Sequence, residues 1–149
     1  MKKNPVIPLM LVFAMIISMG ASPAMTLTPE ESDATLKSKV VEVYYFHRNR
    51  RCGPCRTIEN LTKKTMETYF TSEMENGKVV FHIVNVEREE QREIAQKFNV
   101  VSTALYLNVK EGANEDPTNM TAFAYRFVNN EDRFLTGLKE QIDKGLGKQ

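Results

Sequence analysis

Cys52 and Cys55 are the two residues of this chain whose type and spacing indicate the clearest chemistry. They are its only cysteines, and Gly53-Pro54 lies between them. A two-residue spacer allows a pair of thiols to close into a small disulfide ring and to open again. Closing so short a loop constrains the unfolded chain little, so redox exchange explains the pair better than a structural disulfide does. With no third or fourth cysteine, a four-thiolate metal site within one chain is excluded.

Cationic side chains surround the cysteine pair. The four are arginines, Arg48, Arg50, Arg51 and Arg56. Positive charge near Cys52 favours the thiolate and lowers its pKa, so we predict that Arg51 and Arg56 stabilise this thiolate. The alternative is a basic loop that is merely solvated. His47, at the start of the same loop, is either a proton relay for the thiols or a residue that ends a strand.

The motif lies between a predicted strand and a predicted helix. Val40 to Phe46 is a β-branched and aromatic run, which indicates a central strand buried on both faces. The helical spacing of apolar residues after the motif predicts a helix to about Phe70, with a continuation to Glu75. Cys52 would then meet the free N–H groups of a helix start, which makes it the expected nucleophile. Cys55, one turn further in, is expected to be more buried and to resolve the mixed disulfide.

The remaining elements are predicted from periodicity and turn residues. They are a strand over 79–86, a helix over 87–98, a strand over 103–109, an exposed loop over 111–119, a strand over 121–128 hairpin-paired with its predecessor, and a last helix capped by residues 129–132. A parallel βαβ unit followed by an antiparallel hairpin predicts a mixed sheet with helices on both faces.

The N-terminus is typical of a secretory signal. Lys2-Lys3 precedes an apolar stretch over 6–19 and a small-residue cleavage site, so we place the signal peptide at 1–24 and the mature single domain at 25–149. The alternative is an uncleaved anchor, for which the stretch is short against the ~20 residues of a membrane span. A short helix or a tail is predicted over 28–37. The formal net charge of +1 gives no support to nucleic-acid binding.

This element order with Cys52-Gly53-Pro54-Cys55 resembles the thioredoxin family over roughly residues 40–146. The strand before the motif, the segment 83–100 and the strand beginning Val101-Ser-Thr-Ala-Leu carry the resemblance. It implies an α/β thioredoxin-like fold, redox-active cysteines, and no cofactor or metal beyond the Cys52–Cys55 disulfide. It also implies protein partners that bear thiols or disulfides.

Three departures from that family's pattern bear on function. In the loop Val101-Ser102-Thr103, serine stands where the family has a cis-proline. The bond before Ser102 is therefore either trans, with a reshaped loop, or cis under strain, and the close match of the following strand favours cis. The family's buried acid beneath the motif has no clear equivalent here; Tyr44 or Tyr45 falls near its position. The loop before Cys52 is longer, basic and without tryptophan.

The sequence therefore predicts an exported thiol–disulfide oxidoreductase of thioredoxin type, periplasmic or otherwise extracytoplasmic, that serves cell redox homeostasis. Gly-Pro between the cysteines favours a reductant, whereas the arginines favour a more oxidising couple. We expect a monomer that receives electrons from a membrane-embedded thiol donor. Two alternatives stay open: a dimer that binds a metal or iron–sulfur cluster through two cysteine pairs, and a redox-inactive adaptor that keeps the fold.

Overall fold

The computed structural model describes residues 39–148 of the 149-residue chain. The predicted signal peptide at 1–24 and the predicted helix or tail over 28–37 lie outside the described residues. The strands are β1 (Lys39–His47), β2 (Val79–Asn85), β3 (Ala104–Glu111) and β4 (Asn114–Asn119). The helices are α1 (Gly53–Tyr69), α2 (Thr71–Glu75), α3 (Arg92–Lys97), α4 (Thr121–Phe127) and α5 (Glu131–Leu146), and a 3₁₀ turn covers Glu89–Gln91.

The four strands form one mixed sheet in the order β2-β1-β3-β4. β1 is parallel to β2, with Val43 opposite Phe81, and antiparallel to β3, with Val43 opposite Leu107. β3 and β4 form an antiparallel hairpin. The predicted α/β class with a mixed central sheet is confirmed.

Alternate residues of β1 divide the apolar interior into two layers. Val41, Val43 and Tyr45 pack with α1 and α5 in the larger core. Tyr44 and Phe46 point to the opposite face and pack with residues of α3 and the segment that follows it. This explains why the strand is nearly continuous in apolar residues: both faces are covered.

Residues 121–128, predicted as the fourth strand, instead begin with helix α4, so that prediction is wrong. The partner of β3 is the preceding segment, Asn114–Asn119, which was predicted to be a loop. All six of its residues are exposed and polar or proline, and it occupies the edge of the sheet. Backbone pairing and polar side-chain contacts, such as that of Asn119 with the Tyr106 hydroxyl, hold this strand, and its sequence shows no hydrophobic alternation.

The helices near the motif have the predicted positions with shorter bounds. α1 ends at Tyr69, and the break at Phe70 separates it from α2, because the buried Phe70 leaves helical geometry (φ −129°, ψ 17°). The predicted helix over 87–98 is reduced to the 3₁₀ turn and α3. These breaks leave α1 as the long helix that begins at the cysteine pair.

Candidate active site

The cysteine pair forms a disulfide at the N-terminus of α1. The Cα atoms of Cys52 and Cys55 are 5.1 Å apart. Cys52 is the N-cap of α1, and its sulfur accepts a hydrogen bond from the backbone N–H of Cys55 at 3.0 Å. Cys52 is exposed, whereas Cys55 is only 6% exposed. An incoming thiol or disulfide can therefore reach Cys52, while Cys55 is shielded behind it.

Gly53 and Pro54 form the exposed first turn of α1. Proline fits there because first-turn N–H groups have no partner within the helix. A Cβ added at Gly53 would meet no atom within 4 Å. Packing therefore does not require glycine at this position.

Two tyrosines contact Cys55, and neither contact is predicted from the sequence, which only places Tyr44 or Tyr45 near the position of a buried acid. The Tyr45 hydroxyl donates a hydrogen bond to the Cys55 carbonyl oxygen at 2.7 Å. The Tyr125 hydroxyl, on α4, lies 3.7 Å from Cys55 Sγ. Burial raises the pKa of Tyr45 to about 12. The sequence predicts a strand at Tyr125, and the residue contacts Cys55 from helix α4 instead.

The loop predicted to carry a cis bond before Ser102 lies between α3 and β3. Residues 39–148 contain no cis peptide bond, so that expectation is wrong. A non-proline cis bond costs about 2.5–4 kcal/mol, and serine lacks the ring that lowers this cost. Val101 is 81% exposed and Ser102 is also exposed. Thr103, which directly precedes β3, is half-buried.

A buried carboxylate lies one helical turn beyond Cys55. Glu59 is 7% exposed and accepts hydrogen bonds from Arg51 Nη1 and, at 2.6 Å, from Lys63 Nζ. Burial alone would raise the pKa of Glu59, but the Lys63 hydrogen bond and the charge of Arg51 outweigh it and lower the pKa. The resemblance places the family's buried acid on the strand before the motif, whereas Glu59 lies on α1. The i to i+4 spacing from Cys55 is the signal that could have identified it.

Two of the four arginines are paired with carboxylates. Arg51 binds Glu59, and its Nε lies 3.1 Å from His47 Nδ1. Arg48 binds Glu87, with Nε 2.8 Å from Oε1. The buried His47 ring thus packs against Arg51, and within residues 39–148 no hydrogen bond joins it to either sulfur.

Arg56 lies within the first turn of α1. It is exposed and directs Nη2 toward the Arg51 carbonyl oxygen at 3.4 Å. The structure therefore places Arg51 and Arg56 beside the motif, but only the charge of Arg51 is balanced by a carboxylate. Their effect on the Cys52 thiolate stays a prediction.

The part of the chain that the structure describes has two further properties. No group of three or more His, Cys, Asp or Glu side chains within it is placed to hold a metal ion. None of the helices over 39–148 combines the length and apolar character of a membrane span.

Comparison with solved structures finds similarity to thioredoxins. The thioredoxin of Thermus thermophilus is 18% identical with a TM-score of 0.46, and the match covers 71% of this chain and 76% of that one. The Fasciola hepatica thioredoxin is 25% identical (TM-score 0.42; 71% and 81% covered), and oxidised thioredoxin O2 of Arabidopsis thaliana is 20% identical (TM-score 0.42; 68% and 74% covered). No protein-family model and no curated protein matches the chain.

Proposed function

We propose that this protein is a thiol–disulfide oxidoreductase that exchanges electrons with protein substrates outside the cytoplasm, chiefly as a reductant. The observation that carries the proposal is the asymmetry of the disulfide. Cys52 is exposed and caps α1, whereas Cys55 is buried one turn inside. Because only the Cys52 sulfur is accessible, an attacking thiolate reaches one defined atom of the disulfide. Redox exchange needs this selectivity, whereas a structural disulfide does not.

The reaction follows from this geometry. In the reduced protein, the Cys52 thiolate faces the backbone N–H of Cys55 and the positive end of the α1 dipole. It attacks one sulfur of a substrate disulfide, and the other substrate sulfur leaves as a thiolate. Cys55 then loses its proton and attacks Cys52 Sγ, which releases the second substrate thiolate and forms the Cys52–Cys55 bond. The substrate gains two electrons, and the cysteine pair loses two.

The pairing of the arginines supports the reductant direction. A stable Cys52 thiolate would make the couple more oxidising. Glu59 and Glu87 balance the charges of Arg51 and Arg48, which leaves less net positive charge to stabilise that thiolate than four free arginines would. Gly53-Pro54 favours the same direction. Thioredoxin itself has a potential of about −270 mV.

Export rests on the signal-like segment at 1–24, and the electron source follows from export. An extracytoplasmic reductant must be re-reduced by a donor, for which we propose a membrane-embedded thiol relay. The near-neutral charge supports no nucleic-acid partner, and we propose a monomer. The shielding of Cys55 disfavours a cluster shared between two chains, because four thiolates would have to reach one metal centre.

Trapping of mixed disulfides tests the proposal. Cys55→Ser should accumulate mixed disulfides with substrate proteins, whereas Cys52→Ser should not, because its remaining thiol is buried. Trapping by both variants or by neither would contradict the assigned roles. A redox titration of the wild type separately tests direction: a potential near that of thioredoxin supports a reductant, and one near −120 mV, the approximate value for a strong oxidant, contradicts it.

A further inference from the structure

Tyr125 brings a polar atom to the shielded sulfur of the disulfide. Its side chain is 41% exposed, and its hydroxyl lies 3.7 Å from Sγ of the buried Cys55. A disulfide sulfur carries no proton, so the phenol O–H is the donor in this contact. The ring thus reaches from the surface to an atom that water hardly contacts.

Helix α4 fixes the position of Tyr125. The preceding residue, Ala124, is fully buried, and its backbone N–H donates to the Met120 carbonyl at 2.9 Å. Met120 is itself buried and donates its N–H to the Leu105 carbonyl of β3 at 2.8 Å. The phenol is therefore held by a short helix that is joined directly to the central sheet.

Other polar groups around Cys55 have different partners. The Tyr45 hydroxyl is committed to the Cys55 carbonyl oxygen, and the Cys55 N–H points at the Cys52 sulfur. The ionised Glu59 accepts from Arg51 and Lys63, and a carboxylate cannot donate. Within residues 39–148, Tyr125 is the side chain that hydrogen-bonds to Cys55 Sγ.

We propose that Tyr125 stabilises the Cys55 thiolate when the disulfide opens, an inference that rests on the proposed exchange function. A donor thiolate attacks Cys52 Sγ and forms a new S–S bond, and the Cys52–Cys55 bond breaks with its electron pair on Cys55 Sγ. The Tyr125 O–H donates a hydrogen bond to this thiolate and keeps its own proton. A second thiol of a dithiol donor then attacks the mixed disulfide and frees Cys52, so that the donor loses two electrons.

This contact matters because Cys55 is the leaving group of reduction and the attacking group of the reverse reaction. Burial in apolar surroundings raises a thiol pKa. A thiol of lower pKa leaves faster in disulfide exchange. A hydrogen bond to the charged sulfur therefore assists the opening of the disulfide without touching the substrate.

The test compares Tyr125→Phe with Tyr69→Phe in the full-length protein. Tyr69 is a matched control because it is 40% exposed and lies at the opposite end of α1. In a Cys52→Ser background, NMR titration of the Cys55 Cβ shift measures the thiol pKa. We expect Tyr125→Phe to disfavour the thiolate about three- to tenfold, a rise of about half to one pKa unit, since hydrogen bonds to charged groups are the stronger ones. Tyr69→Phe should leave it unchanged.

A second readout is the rate at which dithiothreitol reduces the disulfide of the protein with both cysteines, which should fall severalfold in Tyr125→Phe. A Cys55 pKa that stays constant or falls when the Tyr125 hydroxyl is removed overturns the inference. The proposed function fails separately, if reduced wild-type protein cannot reduce protein disulfides such as those of insulin. The pKa comparison remains decisive for Tyr125 in either case.

Discussion

Glu59→Gln should lower the free energy of unfolding by about 1–3 kcal/mol, because it removes the carboxylate that pairs with both Arg51 and Lys63. The carboxylate side chain is 9% exposed, against 26% for Arg51 and 41% for Lys63. Removing one partner of a fully buried ion pair costs about 3–5 kcal/mol. Here both cations reach water, which reduces the cost. Glutamine keeps the shape, so the loss reports charge and hydrogen bonding rather than a cavity.

Urea unfolding of the oxidised protein measures this loss, with Glu131→Gln as the matched control. Glu131 pairs with Lys64 at 2.5 Å, and both side chains are about half exposed (51% and 54%). Solvent screening weakens an exposed pair of this kind, so the control should change stability little. In thermal unfolding, each kcal/mol lost at Glu59 should lower Tm by about 4 °C or more.

A double-mutant cycle separates the ion pair from other effects of the substitution. Arg51→Gln should cost less in the Glu59→Gln background than in the wild type, since its partner is already gone. Equal losses for Glu59→Gln and Glu131→Gln, or independent effects of the Arg51 and Glu59 substitutions, would refute the argument. In that case the ion pair between Arg51 and Glu59 would not account for the loss of stability.

Three further predictions concern pH, packing and charge. Burial lowers the pKa of His82, so the unfolded chain binds a proton at this histidine more readily than the folded protein does. The free energy of unfolding should therefore fall as pH drops below about 6.5. Urea unfolding at several pH values should show a weaker pH dependence of stability for His82→Gln. Gly145→Ala should lower Tm, because a Cβ there would lie 2.9 Å from the side chain of Val41 in the core. The cost of overpacking, about 1–3 kcal/mol, exceeds the ~1 kcal/mol gained in helix propensity. A higher Tm would contradict this. Arg50 and Arg56 have no carboxylate partner within residues 39–148, so changing both to Gln should raise the pKa of the Cys52 thiol. Arg48→Gln should raise this pKa less, because Glu87 already pairs with Arg48. Titration of the thiolate measures both shifts, and equal shifts would refute the distinction.

The parts of the fold that the sequence predicts well are those set by local chemistry. The apolar run at 40–46 is a strand because both faces of the sheet are covered. Cys52 caps a helix because Pro54 and the apolar spacing that follows allow one to begin there. The exposure of Cys52 and the burial of Cys55 follow from one turn of that helix.

The second strand of the hairpin was predicted at 121–128 instead of Asn114–Asn119, because the true strand has no hydrophobic pattern. Asn114–Asn119 pairs through its backbone at an exposed edge, so its side chains carry no alternation. Met120 and Ala124 are buried at helical spacing, but small and aromatic residues mixed over 121–128 also fit a strand. The pairing of β3 with the polar segment Asn114–Asn119 decides between a helix and a strand at 121–128. That pairing forms only in the folded protein, so the local sequence does not show it.

Contacts between distant residues account for what the sequence leaves undetermined at the site. Four arginines near two cysteines predict a positive field, but the sequence does not show that Arg51 binds Glu59 or that Arg48 binds Glu87 from beyond β2. Likewise, Tyr125 lies 70 positions after Cys55 and meets it only because 121–127 is helical. Under the proposed function, the charge balance of the arginines affects the pKa of the Cys52 thiol, and the Tyr125 phenol affects the pKa of the Cys55 thiol. The two sulfurs thus differ in their electrostatic surroundings as well as in exposure, which is the asymmetry that directed exchange requires.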